Sequence, residues 1–404
     1  MRVVLGYLNF EMFAGTEGYT LTVSRQLERL GHETTIYATH LGPMADYATS
    51  LGARVVSTHA QLPATCDAVI AQDASTAYQL AGLYPEAVRV FVMHSRFPLQ
   101  SLPQLSEICS AVVVMNDRLR RRAEHVAVGT EVVRLRQPID LVRFGGRRGR
   151  PRRPPRVLSL SNYLYGAREQ MIEAACVEAG FALSRLGAHS ETSPHPEHAI
   201  SGADIVISLG RGAIEAMAAG RAAYIFGPVG GDGWVTPGSY PELERDGFSG
   251  RATDTVVDLR RLVADLGDWQ EGMGESNREL AWAHHDAEAH AIELVDLIAR
   301  LGPPCTPPVK HAEELARLVR MEWHEFGRAQ AALLENHRAR ARIDELSAEL
   351  TELRDAAQRS AGLELELRET HARLAALLNL RRFRLASQVA KPLDRLRSLW
   401  RAMS

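Results

Sequence analysis

Short, almost wholly apolar runs alternate with amphipathic ones along the first three hundred residues, and few folds admit that alternation. Ala68–Ala71, Val88–Met93 and Ala111–Met115 carry almost no polar residue, as strands covered on both faces do. Arg2–Leu8, Glu33–Ala38 and Arg54–Val56 read as further strands. Between them Tyr19–Leu30 places Leu21, Val23, Leu27 and Leu30 on an apolar helix face, and Pro43–Leu51 predicts a second helix. This βαβα order predicts a parallel sheet with helices on both sides. Gly145–Pro155 (GGRRGRPRRPP) then breaks the pattern and reads as a linker. Behind it the pattern resumes, with strands at Arg156–Leu160 and Ala182–Leu186 around a helix at Arg168–Ala179, and helices over Thr255–Leu266 and Asn277–Arg300. The expected fold class is α/β, with two doubly wound units facing each other across a cleft.

The stretch Ala203–Gly227 carries the chemistry. A buried strand (Ile205–Ile207) feeds a glycine-bounded loop, Gly210-Arg211-Gly212, then a helix with Glu215, and after Gly220 a second apolar strand, Ala222–Phe226. Free amides at a helix start and the helix dipole favour phosphate, and glycine lets it approach the backbone. Arg211 adds a planar cation at that mouth. Glu215, about one turn further in, can accept hydrogen bonds from hydroxyls. Phosphate beside hydroxyls points to a sugar nucleotide. His94 closes an apolar strand, where an active-site role and a packed histidine are both open. Asp73, after Ala68–Ala71, could contact an acceptor. Glu17 suits either a ligand or the start of its own helix. Gly230, Gly231 and Gly233 fit a turn or a loop approaching the ligand, and Trp234 and Tyr240 fit stacking or plain packing.

Bulk composition removes other classes. Net charge is -2, so whole-chain charge points to no nucleic-acid partner. Cys66, Cys109, Cys176 and Cys305 are scattered without metal-ligand spacing, and fit buried thiols in a reducing compartment. Met1–Leu8 reads as a strand rather than a leader, and no window approaches the roughly 18 apolar residues of a membrane span.

The chain changes character after Gly302-Pro303-Pro304 and Pro307-Pro308. One heptad register puts Ile343, Leu350, Ala357 and Leu378 at a and Leu346, Leu353, Leu367 and Leu374 at d. Asn336, Glu364 and His371 at a weaken that seam. A continuous helix from Ala329 to Leu380 would be roughly 80 Å long. A dimeric coiled coil, a helix folded back on the domains and a helical hairpin all fit. Leu380–Trp400 is amphipathic and basic. Leu380, Phe383, Leu385, Val389, Leu393, Leu396 and Trp400 share one side, and Pro392 should kink it. Such a helix suits an anionic membrane surface, or a tail packed on its own protein.

Four segments together resemble a GT-B-fold glycosyltransferase of the family-4 kind. Ala14-Gly15-Thr16-Glu17 with Leu30-Gly31-His32-Glu33 is similar to that family's GG-x-E loop and LxxxGHEV turn. His94 stands where the family often has a histidine. Gln137-Pro138-Ile139-Asp140-Leu141-Val142-Arg143-Phe144 is similar to its NGVDxxxF segment. Glu215-Ala216-Met217-Ala218-Ala219-Gly220 resembles its EAMAxG.

The resemblance implies two Rossmann-like domains: an acceptor-side domain over residues 1–144, a linker over 145–155, a nucleotide-sugar domain over 156–302, then a coiled-coil helix over 309–380 and a basic tail over 381–404. It implies that Glu215 holds the ribose hydroxyls, Gly15 lies against the donor diphosphate and His94 faces the transferred sugar. Gly210, Arg211 and Gly212 join them from local chemistry alone.

Two departures stand out. Ile207 occupies the first position of the family's E-x7-E motif, and the family's GRLxxxKG segment is replaced by Ser159–Arg168. Arg168 or Arg211 would then supply the charge that a leaving diphosphate needs. No DxD motif appears, so neither metal nor cofactor is expected.

The implied activity is transfer of a hexosyl or related sugar from a nucleotide sugar to a cell-surface glycan or lipid-linked acceptor. The enzyme would be a cytoplasmic homodimer, peripheral on the inner membrane face. A non-catalytic scaffold working through its coiled coil, and a sugar-nucleotide epimerase, are the alternatives.

Overall fold

The computed structural model describes all residues except 98, 128, 147–152, 229, 254, 305–308, 380 and 402–404. Most of the expected linker, as well as Cys305, Pro307, Pro308 and Leu380, therefore lies outside the described residues. The chain divides into two compact units, Met1–Glu325 and Phe326–Ser404.

The first unit begins with β1 (Arg2–Gly6), β2 (Asn9–Phe10), α1 (Gly15–Arg29), β3 (Glu33–Tyr37), β4 (His40–Leu41), α2 (Pro43–Ser50), β5 (Val55–Val56), β6 (Ala68–Ala71), α3 (Ala74–Leu83), β7 (Val88–Met93), β8 (Ala111–Val114), α4 (Asp117–Val126), β9 (Glu131–Arg134) and α5 (Leu141–Phe144). Seven strands form one parallel sheet in the order β5-β3-β1-β6-β7-β8-β9, while β2 and β4 pair separately. A second half follows with β10 (Arg156–Leu160), α6 (Ala167–Ala179), β11 (Ala182–Leu186), α7 (Pro196–Ser201), β12 (Ile205–Ser208), α8 (Gly210–Ala218), β13 (Ala222–Gly227), β14 (Gly230–Trp234), α9 (Tyr240–Asp246), α10 (Leu259–Gly267), α11 (Met273–His284) and α12 (Ala287–Arg300). Its sheet runs β11-β10-β12-β13-β14, parallel except for β14. Both halves are Rossmann-like.

The apolar runs are explained by burial on both faces. Val3, Leu5, Val90, Val92 and Val113 enter one core with α1, α2 and α12; Val4, Phe91, Met93, Val112 and Val114 enter another with α3 and α4. The smaller sheet repeats the device: Leu158, Val206 and Ile225 face α8, while Val157, Ile205, Ile207 and Tyr224 face α6 and α10. Ile207 is thus a core residue on the sheet face opposite the helix of Glu215.

The polypeptide crosses back at the end. Ala291, Leu294, Leu297 and Ile298 of α12 belong to the first half's core, and Ala316, in the first turns of the long helix α13 (Val309–Asn379), packs into that half's other core. Arg134 of β9 donates to Glu244 of α9 at 2.7 Å and pairs with Asp117 at 3.0 Å, binding the two halves.

Several elements depart from the sequence expectation. The segment Gly210–Gly212 is the first turn of α8, not a loop, because Gly210 adopts φ +53° and turns the chain directly out of β12. Helix α1 begins at Gly15, four residues before Tyr19. The region 255–257 is not helical; α10 starts after Asp258, whose carboxylate caps the Arg261 amide. The single helix expected over Asn277–Arg300 is two, broken at His285-Asp286, where Asp286 caps α12. The glycines after Pro228 form the edge strand β14.

The second unit contains the rest of α13, a 71-residue helix, and α14 (Arg381–Arg401), which continues through Pro392. Its seam residues Ile343, Leu346, Leu350, Leu353, Leu367, Leu374 and Leu378 are exposed. No helix among the described residues is long and apolar enough to cross a membrane.

Candidate functional site

In a doubly wound sheet the ligand crevice opens beyond the carboxyl ends of the strands, where the strand order reverses. That point falls between β1 and β6 in the larger sheet and between β10 and β12 in the smaller. Tyr7, Gln72 and the start of α1 lie at the first; Gly210 and Arg211 lie at the second.

Arg211 ties the two together. Its Nε donates to Glu215 Oε1 at 2.7 Å, its Nη1 to the Pro138 carbonyl at 3.1 Å and its Nη2 to Thr22 Oγ1 on α1 at 3.1 Å. A Cβ on Gly18 would lie 3.3 Å from the Arg211 Nε, so glycine there lets helix and guanidinium approach. Glu215 is buried beneath this pair. Gly210 spends its amide on the Phe248 carbonyl at 2.8 Å. Gly212 is required by packing: a Cβ there would sit 2.5 Å from Ser208 Oγ and 3.3 Å from Leu160. Of the expected anion loop, the structure therefore shows a helix start whose arginine joins the two halves.

On the opposite side, Gly15 opens α1 with nothing within 4 Å of where its Cβ would be. Glu17, one turn in, is only 6 % exposed. Burial first, and the Glu11 charge second, push its carboxyl up to about 7. His94, directly after β7, donates from Nε2 to Gln72 Oε1 at 2.6 Å and meets the Tyr19 ring edge-on at 4.9 Å. Burial, Arg211 and His290 together hold its imidazole down to about 3, so it is neutral at ordinary pH. The Tyr19 hydroxyl bonds His290 Nε2 at 2.9 Å, and His290 Nδ1 bonds the Arg136 carbonyl at 2.9 Å. His285 holds the adjacent Gln137 carbonyl in the same way at 2.9 Å. Gln100 bridges the Tyr7 hydroxyl (3.0 Å) and Thr16 (2.9 Å), fixing the loop after β7 to α1.

The remaining expected residues make local contacts within the unit. Asp73 is fully buried and caps α3, accepting from Thr76 N (2.9 Å), Thr76 Oγ1 (2.6 Å) and Leu8 N (2.7 Å). Arg168 lies over the Phe226 ring at 5.2 Å, beside the carboxyl end of β13. Trp234 packs on Tyr224 and donates to the Asp265 carbonyl, and Tyr240 is buried against His285. Cys66, Cys109 and Cys176 are unpaired thiols. Among the described residues no group of three or more His, Cys, Asp or Glu could hold a metal ion.

Sequence reasoning missed Gln72, Tyr19 and His290. Gln72 had a usable signal, since it follows a central apolar strand at the reversal point. Tyr19 and His290 are 271 residues apart and had none.

No protein-family model matches the sequence, and no curated protein matches it. Among solved structures, an alpha-glucosyltransferase in complex with UDP-glucose and DNA containing an abasic site is similar at TM-score 0.50 and 12% identity, over 74% of this chain and 100% of that one. AviGT4, a glycosyltransferase involved in avilamycin A biosynthesis, is similar at TM-score 0.49 and 13% identity, over 74% and 97%. Anabaena Alr3699/HepE in complex with UDP-glucose is similar at TM-score 0.47 and 11% identity, over 74% and 99%. The fold is GT-B.

Proposed function

We propose that this protein is a glycosyltransferase that moves a hexosyl or related sugar from a nucleotide sugar to a cell-surface glycan or lipid-linked acceptor. The observation that carries the reading is the meeting of two strand-reversal crevices, one from each sheet, at Arg211, Thr22 and Glu215. The alpha-glucosyltransferase of similar fold holds UDP-glucose, and we extend that donor class to this chain.

In this reading the donor lies mainly on the second half. Glu215 receives the ribose hydroxyls, and Arg211, which uses three of its five N–H groups on protein acceptors, turns the others to the diphosphate. Gly15 gives the phosphates room at the dipole end of α1. Neutral His94 hydrogen-bonds the transferred sugar rather than taking its proton. Arg168 adds positive charge as the diphosphate leaves. No metal or cofactor takes part.

The exposed leucine seam of α13 supports a homodimer through a coiled coil. The basic α14, with Leu385, Val389, Leu396 and Trp400 exposed, supports contact with the anionic inner face of a membrane, and with it the reading of a cytoplasmic enzyme beside a lipid-linked acceptor.

The deciding experiment records the melting temperature of the full chain with each common UDP, GDP and dTDP sugar, followed by radiolabel transfer with the best binder. A ligand that binds only the folded state must raise the melting temperature. No rise with any donor would overturn the reading.

A further inference from the structure

Glu17 is a buried acid in the first turns of α1. It is 6 % exposed, yet among the described residues no cation pairs with it. Its own backbone amide donates to it, but a buried carboxylate without a cation is costly and calls for a reason. Its surroundings all belong to the cleft. Tyr7 follows β1, Glu11 precedes α1, and Tyr163 comes from the second half; burial first, and the charge of Glu17 second, raise both phenols. Two residues before it, at Gly15, the start of the helix is open to solvent.

The other acid–base groups at the cleft are occupied. Glu215 is held by Arg211 at 2.7 Å, Asp73 caps α3 with both oxygens, and the Nε2 of His94 is spent on Gln72. Glu17 alone of these stands ready to take a proton.

We propose that Glu17 is the proton acceptor for the hydroxyl that receives the sugar, a role resting on the glycosyl-transfer reading above. In that step the acceptor's O–H proton passes to a Glu17 carboxylate oxygen. The acceptor oxygen's electron pair forms the new bond to the anomeric carbon. The bond from that carbon to the nucleotide diphosphate breaks, and its electrons leave with the diphosphate. A carboxylate pushed up to about 7 is matched to this work, being ionised enough to accept and basic enough to hold the proton.

The test uses the full chain, the panel of UDP, GDP and dTDP sugars as donors and water as the acceptor, reading nucleotide release across about pH 5 to 9. In the wild type, release should rise with pH to a plateau above about pH 7. Glu17→Gln should lower it at least about 100-fold and abolish the rising limb, while the donor-induced melting shift is unchanged. Glu17→Asp, which keeps the carboxylate but shortens its reach, should be slower yet retain the limb, and it decides the matter if the glutamine variant does not fold. An unchanged rate or profile in these variants overturns the role. So does loss of donor binding in Glu17→Gln, or a wild type that binds a donor and never releases nucleotide. Absence of any donor binding by the wild type instead overturns the glycosyl-transfer reading itself.

Discussion

Two buried glutamates lie in the first turns of their helices, Glu17 in α1 and Glu215 in α8. Glu215 is 9 % exposed and Glu17 is 6 % exposed, so burial hardly distinguishes them. Their partners do. Glu215 has a guanidinium four residues earlier, bonded also to a carbonyl and to a threonine across the cleft. Glu17 has a second acid, Glu11, as its charged neighbour. A buried carboxylate with a cation is a fastener; one without is held in a state it would leave by taking a proton. The same residue type thus has a cation to hold it in one half and none in the other.

The largest way to break this contrast is to remove the fastener. Arg211→Ala strands Glu215 as a buried unpaired charge and cuts the bond to Thr22, and should cost about 3–5 kcal/mol in denaturant unfolding. Glu17→Gln should act in the opposite direction. The folded protein holds the Glu17 proton up to about pH 7, while an unfolded glutamate releases it near 4.5. Wild-type stability therefore falls as pH rises through that window, because the folded state binds more protons there. The glutamine variant should be more stable than wild type by on the order of 3 kcal/mol at pH 8 and equal to it near pH 4, as urea titrations at the two values would read.

Smaller changes sharpen the comparison at the backbone. Gly212→Ala, with Ser208 and Leu160 in its way, should lose about 1–3 kcal/mol by calorimetry. Removing the α3 cap with Asp73→Ala should cost about 0.5–2 kcal/mol, lowering the melting temperature by a few degrees. Gly15→Ala, meeting empty space, should stay within about 0.5 kcal/mol of wild type. A large loss there would mean that the opening of α1 is packed rather than open.

Much of the fold was legible because it depends on local pattern. Strands buried on both faces have no polar side, so Ala68–Ala71, Val88–Met93 and Arg156–Leu160 were readable to the residue. The break at His285-Asp286 was not, since both flanking segments are amphipathic and the interruption exists to carry two histidines to the carbonyls of Arg136 and Gln137. Gly15, His94 and Glu215 were legible as residue types in order along the chain. Their pairings were not. Nothing near Arg211 announces Thr22, 189 residues away. Nothing near Asp73 announces that Leu8 claims its second oxygen, which only the parallel register of β1 and β6 brings about.

The return of the chain over the first half has a consequence for biosynthesis. The large sheet comes off the ribosome before the second half, yet Leu294 and Ile298 on one of its faces and Ala316 on the other come off after that half's strands. Until then both sides of that sheet carry an uncovered apolar strip, while the second half can already close around its own strands. Of the two halves, the one made earlier is the one completed later, and a nascent chain stalled before α12 would be a client for a chaperone rather than a folded intermediate.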